Sequence, residues 1–324
     1  MKFCIYGAGA IGGFLGVRLA NAGAEVSLVA RGENLAAMRA NGVRLIVEER
    51  EEVAHPACSD DPAEFGVQDY LIIALKAHTI SAAVDAMRPL IGPNTTVVTA
   101  YNGVPYWYLH TSASPLRETV LSSIDPDRRQ WNILGPERAL GCVVLPATEL
   151  IAPGVIRHDH GFRFPIGEPD GSQSPRLKTL HDWLTKAGMK APMLTDIRDE
   201  IWLKLWGNLC LNPLSVLTLA TVDRIATDPG TRAVCRAMMG EAELIAGHLG
   251  LHLRVDKERR LDGAAAVGAH KMSMQQDLER GRALEIDPLV TVVQELGRLV
   301  GVATPTIDLV LALVRQRAQS AGLM

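Results

Sequence analysis

The stretch KFCIYGAGAIGG, residues 2–13, decides the fold. Lys2 to Tyr6 is a short apolar run of the kind that forms a fully buried strand, and an apolar pattern of helical period runs from Ile11 to Ala22. Between them, Gly7, Gly9 and Gly12 make a G-x-G-x-x-G motif. The motif gains its meaning from this strand-to-helix setting. Gly7 permits a tight turn, Gly9 leaves room where a pyrophosphate approaches, and Gly12 lets the helix pack closely on the strand. Gly7, Ala8, Gly9, Ala10, Ile11 and Gly12 are therefore the candidate phosphate cradle, with the helix N-terminus adding N–H donors and a partial positive charge. A signal-peptide core competes for a Lys followed by apolar residues. The glycines at 7, 9, 12 and 13 interrupt it too often for that.

A second strand follows at Glu25 to Ala30, and its end chooses between cofactors. An NAD-binding loop places Asp or Glu there to accept from the ribose 2′-hydroxyl. This chain has Ala30-Arg31. A guanidinium attracts a 2′-phosphate through a planar, charge-assisted fork, so NADPH/NADP+ is the expected cofactor. Glu33 lies close by and works against that preference, and a plain surface arginine is the competing reading.

Farther along, Asn34 to Asn41 reads as a helix stopped by Gly42. Val43 to Val47 and about 52–57 read as a hairpin, Tyr70 to Leu75 and Thr96 to Thr99 as buried strands, and Thr79 to Met87 as a helix. Gly141 to Pro146 and Gly154 to Gly167 look strand-rich and are expected to extend the sheet or line its edge. After about Met189 helical periodicity takes over, at Ile201 to Leu211, Thr231 to Leu249, Met274 to Arg282, Pro288 to Val300 and Thr306 to Gln319. The expectation is an α/β protein: an NADP-binding Rossmann domain with a doubly wound sheet over 1–192, and an all-helical substrate and catalytic domain over 193–324.

Bulk properties narrow the partners. The chain has 324 residues and a formal net charge of −3, with its basic residues spread out, which argues against nucleic acid or an anionic membrane as main partner. No stretch offers the ~20 uninterrupted apolar residues of a membrane span. Five cysteines without C-x-x-C spacing argue against a disulfide framework or zinc site and fit a reducing, cytoplasmic setting. His158-Asp159-His160 and the pair His248 and His252 lack a further ligand in a metal-binding spacing, so no metal is expected.

Lys204, Asn208 and Asn212 recur every fourth residue and so lie along one face of a helix that is otherwise apolar. Polar groups set in such a helix need partners or a task. Reduction of a ketone needs a hydride at carbon and a proton at oxygen, and a lysine can supply the proton. Asparagine amides donate to and accept from hydroxyl and carbonyl groups. Lys76 and Asn102 each follow a strand of the first half, at the sheet end where open α/β folds bind ligands.

Several segments together resemble the ketopantoate reductase (2-dehydropantoate 2-reductase) family. They are the Gly7 to Gly12 loop, Arg31, Leu75-Lys76-Ala77, Tyr101-Asn102-Gly103-Val104, the run from Lys204 through Asn208 to Asn212-Pro213, Ser273-Met-Gln-Gln-Asp277 and Glu285-Ile286-Asp287. The resemblance spans most of the chain. It implies a 6-phosphogluconate dehydrogenase-like arrangement, a Rossmann domain followed by a helical one with the active site in the cleft between, and NADPH-dependent reduction of ketopantoate to pantoate in pantothenate biosynthesis. It further implies Lys204 as general acid, with Glu285 and Asn102 completing the catalytic set. Asn208, Asn212 and Ser273 would bind substrate, Ser273 through its carboxylate. Lys76 and Asn102 would lie beside the cofactor. The small-molecule partner is then a 2-oxo acid, and a homodimer is compatible with the apolar helical half. A paralogue reducing a different 2-oxo acid and a non-catalytic NADP-binding sensor are the rival readings. Two departures bear on substrate: Leu217 to Asp223 lacks an asparagine found in some members, and His270 stands where some have asparagine. The aromatic run Tyr106-Trp107-Tyr108 is either a reshaped pocket roof or a hydrophobic cover for the sheet.

Overall fold

The structure, a computed structural model, describes residues 1–323. The chain forms two compact units: Met1–His110 with Asp127–Ile197, and Thr111–Pro126 with Arg198 onward.

The first unit contains β1 (Lys2–Tyr6), α1 (Ala10–Asn21), β2 (Glu25–Val29), α2 (Gly32–Asn41), β3 (Val43–Val47), β4 (Arg50–Ala54), β5 (Ala57–Ser59) and β6 (Tyr70–Ile73). It continues with α3 (Ile80–Ala83), β7 (Thr96–Thr99), α4 (Arg129–Leu134), β8 (Ala139–Cys142), β9 (Ala147–Ala152), β10 (Val155–His160), β11 (Ile166–Gly167) and α5 (Pro175–Lys186). Its main sheet has the order β11-β8-β7-β6-β1-β2-β5. The strands from β5 to β8 run parallel, and β11 pairs antiparallel with β8 at the edge. Chain order reverses between β1 and β6, which makes the carboxyl ends of these two strands the switch point of a doubly wound sheet. The central strands are apolar on both faces because helices cover both: Phe3, Ile5, Leu28, Leu71, Ile73 and Val97 are fully buried. Each such side chain contributes roughly 1.5–3 kcal/mol on burial.

The strand-rich segment after Gly154 divides: its end, β11, lines the edge of this sheet as expected, while the rest does not join it. β10 joins a second, four-stranded sheet ordered β4-β3-β10-β9, pairing parallel with β3 and antiparallel with β9. The reason is packing on α1. At Gly13 a Cβ would stand 2.4 Å from the Ile156 side chain, so this sheet lies directly on the helix. The expected helix from Thr79 to Met87 is broken, with α3 flanked by 3-10 turns at Ala77–Thr79 and Val84–Leu90. Pro89 lies in the second of them and removes a helical donor there.

The second unit holds α6 (Ile197–Thr218), α7 (Val222–Thr227), α8 (Pro229–His248), α9 (Lys257–Ala265), α10 (Ser273–Glu279), α11 (Val292–Val300) and α12 (Pro305–Ser320). A π-helical turn, Asp287–Thr291, leads into α11. Helix starts follow local chemistry: Asp228 and Asp256 accept from Thr231 and Arg259 N–H groups, and proline opens α8 and α12. α6 is longer than the expected Ile201 to Leu211 and runs through Pro213. Its first half is anchored by tryptophans: Trp202 and Trp206 are fully enclosed and Trp206 Nε1–H donates to Met239 O at 2.8 Å. The segment 111–126, expected in the first domain, belongs to this unit. Glu295 on α11 accepts from the backbone N–H groups of Ser122 and Ser123 at 2.7 and 2.9 Å and from their hydroxyls at 2.7 and 2.5 Å.

Candidate functional site

The three loop glycines differ in what surrounds them. Gly7 has φ +106°, and a Cβ there would lie 2.8 Å from Leu75 Cδ2 and 3.0 Å from Ala74 O. A Cβ on Gly12 would stand 1.9 Å from Gly7 O, so helix and loop touch backbone to backbone. Gly9 has no atom within 4 Å of that position, so the space above it is open. The Gly7 and Ala8 N–H groups donate to Val29 O at 3.2 and 3.1 Å, tying the loop to β2. The first helical bond of α1 runs from Gly13 N to Gly9 O at 2.8 Å, and no side chain caps the helix. The N–H groups of its first turn are thus left for an outside acceptor. A tight turn, an open face and uncapped donors are what a dinucleotide pyrophosphate requires, so these residues fit such a group.

Asn34 is a contributor that sequence reading passed over. Its Nδ2 donates to Ala8 O at 2.8 Å and its Oδ1 accepts from Gly154 N at 2.7 Å, so one side chain clamps the loop to the β9–β10 turn. An amide in the first turn of a helix right after the cofactor-selecting position was the available signal.

Arg31 is exposed and sits at the N-cap of α2, directly after β2. Its charge reaches Tyr6 at the end of β1: burial pushes the Tyr6 phenol up, and Arg31 partly offsets that. Lys76 and Asn102 are both half-buried, following β6 and β7 at the same sheet end as the loop. The aromatic run behind Asn102 is core. Tyr106, Trp107 and Tyr108 are buried, Trp107 Nε1–H donates to Thr99 Oγ1 at 3.0 Å, and the Tyr106 hydroxyl donates to Gly135 O at 3.2 Å. Trp107 also lies where a Cβ on Gly141 of β8 would be, 3.0 Å away. The run covers the sheet.

In the second unit, Lys204, Asn208 and Asn212 all lie on α6, the first two half-buried and Asn212 fully enclosed. Asn212 Oδ1 accepts from Ser273 Oγ at 3.3 Å and from Met274 N at 3.1 Å. The structure therefore brings Asn212 and Ser273 together, with Asn212 bonded to the start of α10. Its Nδ2 is buried without a hydrogen-bond partner. Glu285, 6% exposed, is held in the link between α10 and the π-helical turn, while Ser273 is exposed.

Among the described residues, no group of three or more His, Cys, Asp or Glu is arranged to hold a metal. His158 has a structural setting: its Nε2 is 2.5 Å from Gly161 O and its ring lies against Phe14 and Phe162. No helix among the described residues is long and apolar enough to cross a membrane.

Two family models match the chain, Ketopantoate reductase PanE/ApbA over residues 3–171 and its C-terminal counterpart over residues 196–318. A 2-dehydropantoate 2-reductase of Mesorhizobium japonicum is 52% identical over 323 residues, covering 99% of each chain. A crystal structure from Ralstonia solanacearum, described as a candidate ketopantoate reductase, superposes with a TM-score of 0.96 at 42% identity and covers 100% of this chain and 99% of its own. A 2-dehydropantoate 2-reductase structure from Geobacter metallireducens gives 0.85 at 25% identity, covering 98% and 99%.

Proposed function

The chain belongs to the ketopantoate reductase family, and from that premise we propose that it reduces 2-dehydropantoate to pantoate with NADPH, a step of pantothenate biosynthesis. The observation that carries the reading is 52% identity to a 2-dehydropantoate 2-reductase over 99% of each chain. The glycine loop and the Lys204 helix support it, because they offer a dinucleotide cradle and a proton donor in one chain.

In this reading Gly7 to Gly12 hold the pyrophosphate, and Arg31 receives the 2′-phosphate that distinguishes NADPH from NADH. Bound nicotinamide supplies the hydride. Lys204 gives its Nζ proton to the carbonyl oxygen, so the ketone becomes an alcohol as the lysine becomes neutral. Lys204 is half-buried on α6. Glu285 receives the substrate hydroxyl and orients Lys204, Asn208 bonds the substrate, and Ser273 adds a hydroxyl to its carboxylate. Asn102 and Lys76 line the cofactor side. Asn212 acts through Ser273, whose hydroxyl it holds.

The test is NADPH oxidation with ketopantoate beside pyruvate, 2-oxoisovalerate and bulkier 2-oxo acids. Preference for ketopantoate is the expected result. Preference for another 2-oxo acid overturns the substrate, and cofactor binding without turnover on any of them overturns the enzymatic reading.

A further inference from the structure

Arg260, on α9, carries a cation that the roles above leave unused. Its guanidinium rests on α6 at Gly207: a Cβ there would lie 2.7 Å from Nη2, 3.2 Å from Cζ and 3.3 Å from Nε. Glycine at 207 is what lets the planar group approach so close to the helix. Nε is buried and has no hydrogen-bond partner. Among the described residues no carboxylate pairs with the side chain at ion-pair distance. Glu200 acts on it only from farther away, together with Cys210, and burial pulls the guanidinium below its ordinary range. Three arginines of this unit are paired with carboxylates: Arg232 with Glu258 and Asp262, Arg236 with Glu258, and Arg315 with Asp287. A guanidinium stays charged in proteins, and this half-buried one has no partner at its buried Nε, which leaves its fork for an arriving anion.

The position says which anion. Gly207 is adjacent to Asn208 and three residues beyond Lys204, so Arg260 touches α6 within one turn of both. The groups assigned to substrate there leave its carboxylate without a counter-charge. Lys204 serves the carbonyl oxygen, Asn208 is neutral, and the Ser273 hydroxyl lies within hydrogen-bond distance of Asn212 Oδ1. We infer that Arg260 receives the carboxylate of the 2-oxo acid, presenting its planar fork to the two carboxylate oxygens. This rests on the reductase reading and adds to it the residue that would make the enzyme select acids over neutral ketones.

The experiment compares ketopantoate with its methyl ester, which has the same reacting carbonyl and no charge, in the wild type, Arg260→Met, Arg260→Lys and Gly207→Ala. Arg260→Met should raise KM for the acid about 100-fold while leaving the ester nearly unaffected, the loss expected for a charged, forked hydrogen bond. Arg260→Lys keeps the charge without the fork and should lose about tenfold. Gly207→Ala suits a helix interior and guards against misfolding of the arginine variants. Its methyl forces the guanidinium back by ~0.7–1 Å to ordinary contact, and KM for the acid should rise about tenfold. Equal losses on acid and ester, or an unchanged KM for the acid, overturn the assignment. Calorimetric titration with oxamate, an unreactive 2-oxo acid mimic, separates this proposal from the reductase reading. If the wild type turns over no 2-oxo acid, that reading falls. Oxamate binding that is lost in Arg260→Met still upholds the anion site, and binding that survives the substitution overturns it.

Discussion

Gly9→Ala and Gly12→Ala, three residues apart in one loop, should fail in opposite ways. Gly12 lies inside α1, where alanine gains ~0.8–1.0 kcal/mol over glycine in helix propensity. Its Cβ, however, would stand 1.9 Å from Gly7 O, 3.0 Å from Gly7 C and 3.2 Å from Ile5 Cγ2. Two of these atoms are backbone, so the loop must move off the helix by over ~1 Å, and such overpacking costs roughly 1–3 kcal/mol. The movement also strains the Gly7 and Ala8 bonds to Val29 O, each contributing about 1 kcal/mol. The net loss is then about 1–3 kcal/mol, or roughly 3–10 °C in Tm for a unit of this size. Gly9 has φ −78° and open space above it, so alanine fits the fold at a cost of well under ~1 kcal/mol. The same methyl occupies the surface a pyrophosphate would approach, and Kd for NADPH should rise by about 10–100-fold for a cradle displaced by a methyl. Thermal melts of the free protein and fluorescence titration with NADPH measure the two quantities separately. A Gly9→Ala protein that binds NADPH like the wild type, or a Gly12→Ala protein with unchanged Tm, refutes the steric reading of the loop.

Lys204→Ala should lower kcat by about 100-fold or more, the scale for loss of a general acid, with turnover at saturating substrate as the measurement. Arg31→Ala should raise KM for NADPH far more than for NADH, and equal effects would remove 2′-phosphate recognition. Asn212→Leu keeps the buried volume but strips the acceptor from Ser273 and Met274, so urea unfolding should show a loss of about 1–3 kcal/mol and KM for the 2-oxo acid should rise. Tyr70 gives a pH prediction. Burial pushes its phenol up to about 12, and its hydroxyl donates to Arg176 O at 2.7 Å. An unfolded tyrosine ionises near ~10, so this contribution is whole below that pH and is lost as pH climbs from there through about 12. Tyr70→Phe should flatten that part of the alkaline unfolding curve, as followed by circular dichroism against pH.

What could be read in the sequence, and what could not, divides by the range of the interaction involved. The glycine loop was legible because a turn, an open face and a close approach lie within six residues and only glycine meets all three. α6 was legible because its polar residues stand at a fixed spacing in an apolar helix. The strand at Val155–His160 showed its alternation but not its partner. Which sheet it joins depends on Ile156 meeting Gly13 more than a hundred residues earlier. The transfer of 111–126 to the second unit is of the same kind, since Ser122 and Ser123 carry no sign that Glu295 will take their four donors. α9 was hidden for a different reason. Lys257–Ala265 is mostly polar and charged, and only Leu261 and Ala264 are buried, too few to show a helical stripe. That polarity is itself informative once the helix is placed. Arg232 and Arg236 account for Glu258, and Arg232 accounts for Asp262, while Arg260 on the same helix turns to α6, where Glu200 acts on it only from beyond ion-pair distance. The guanidinium beside Gly207, next in sequence to Asn208, is the charge that the proposed carboxylate site uses. Replacing a buried charge by an apolar residue of similar size is often neutral or stabilising for folding, so Arg260→Met should keep its Tm while losing the acid, which separates a ligand role from a structural one.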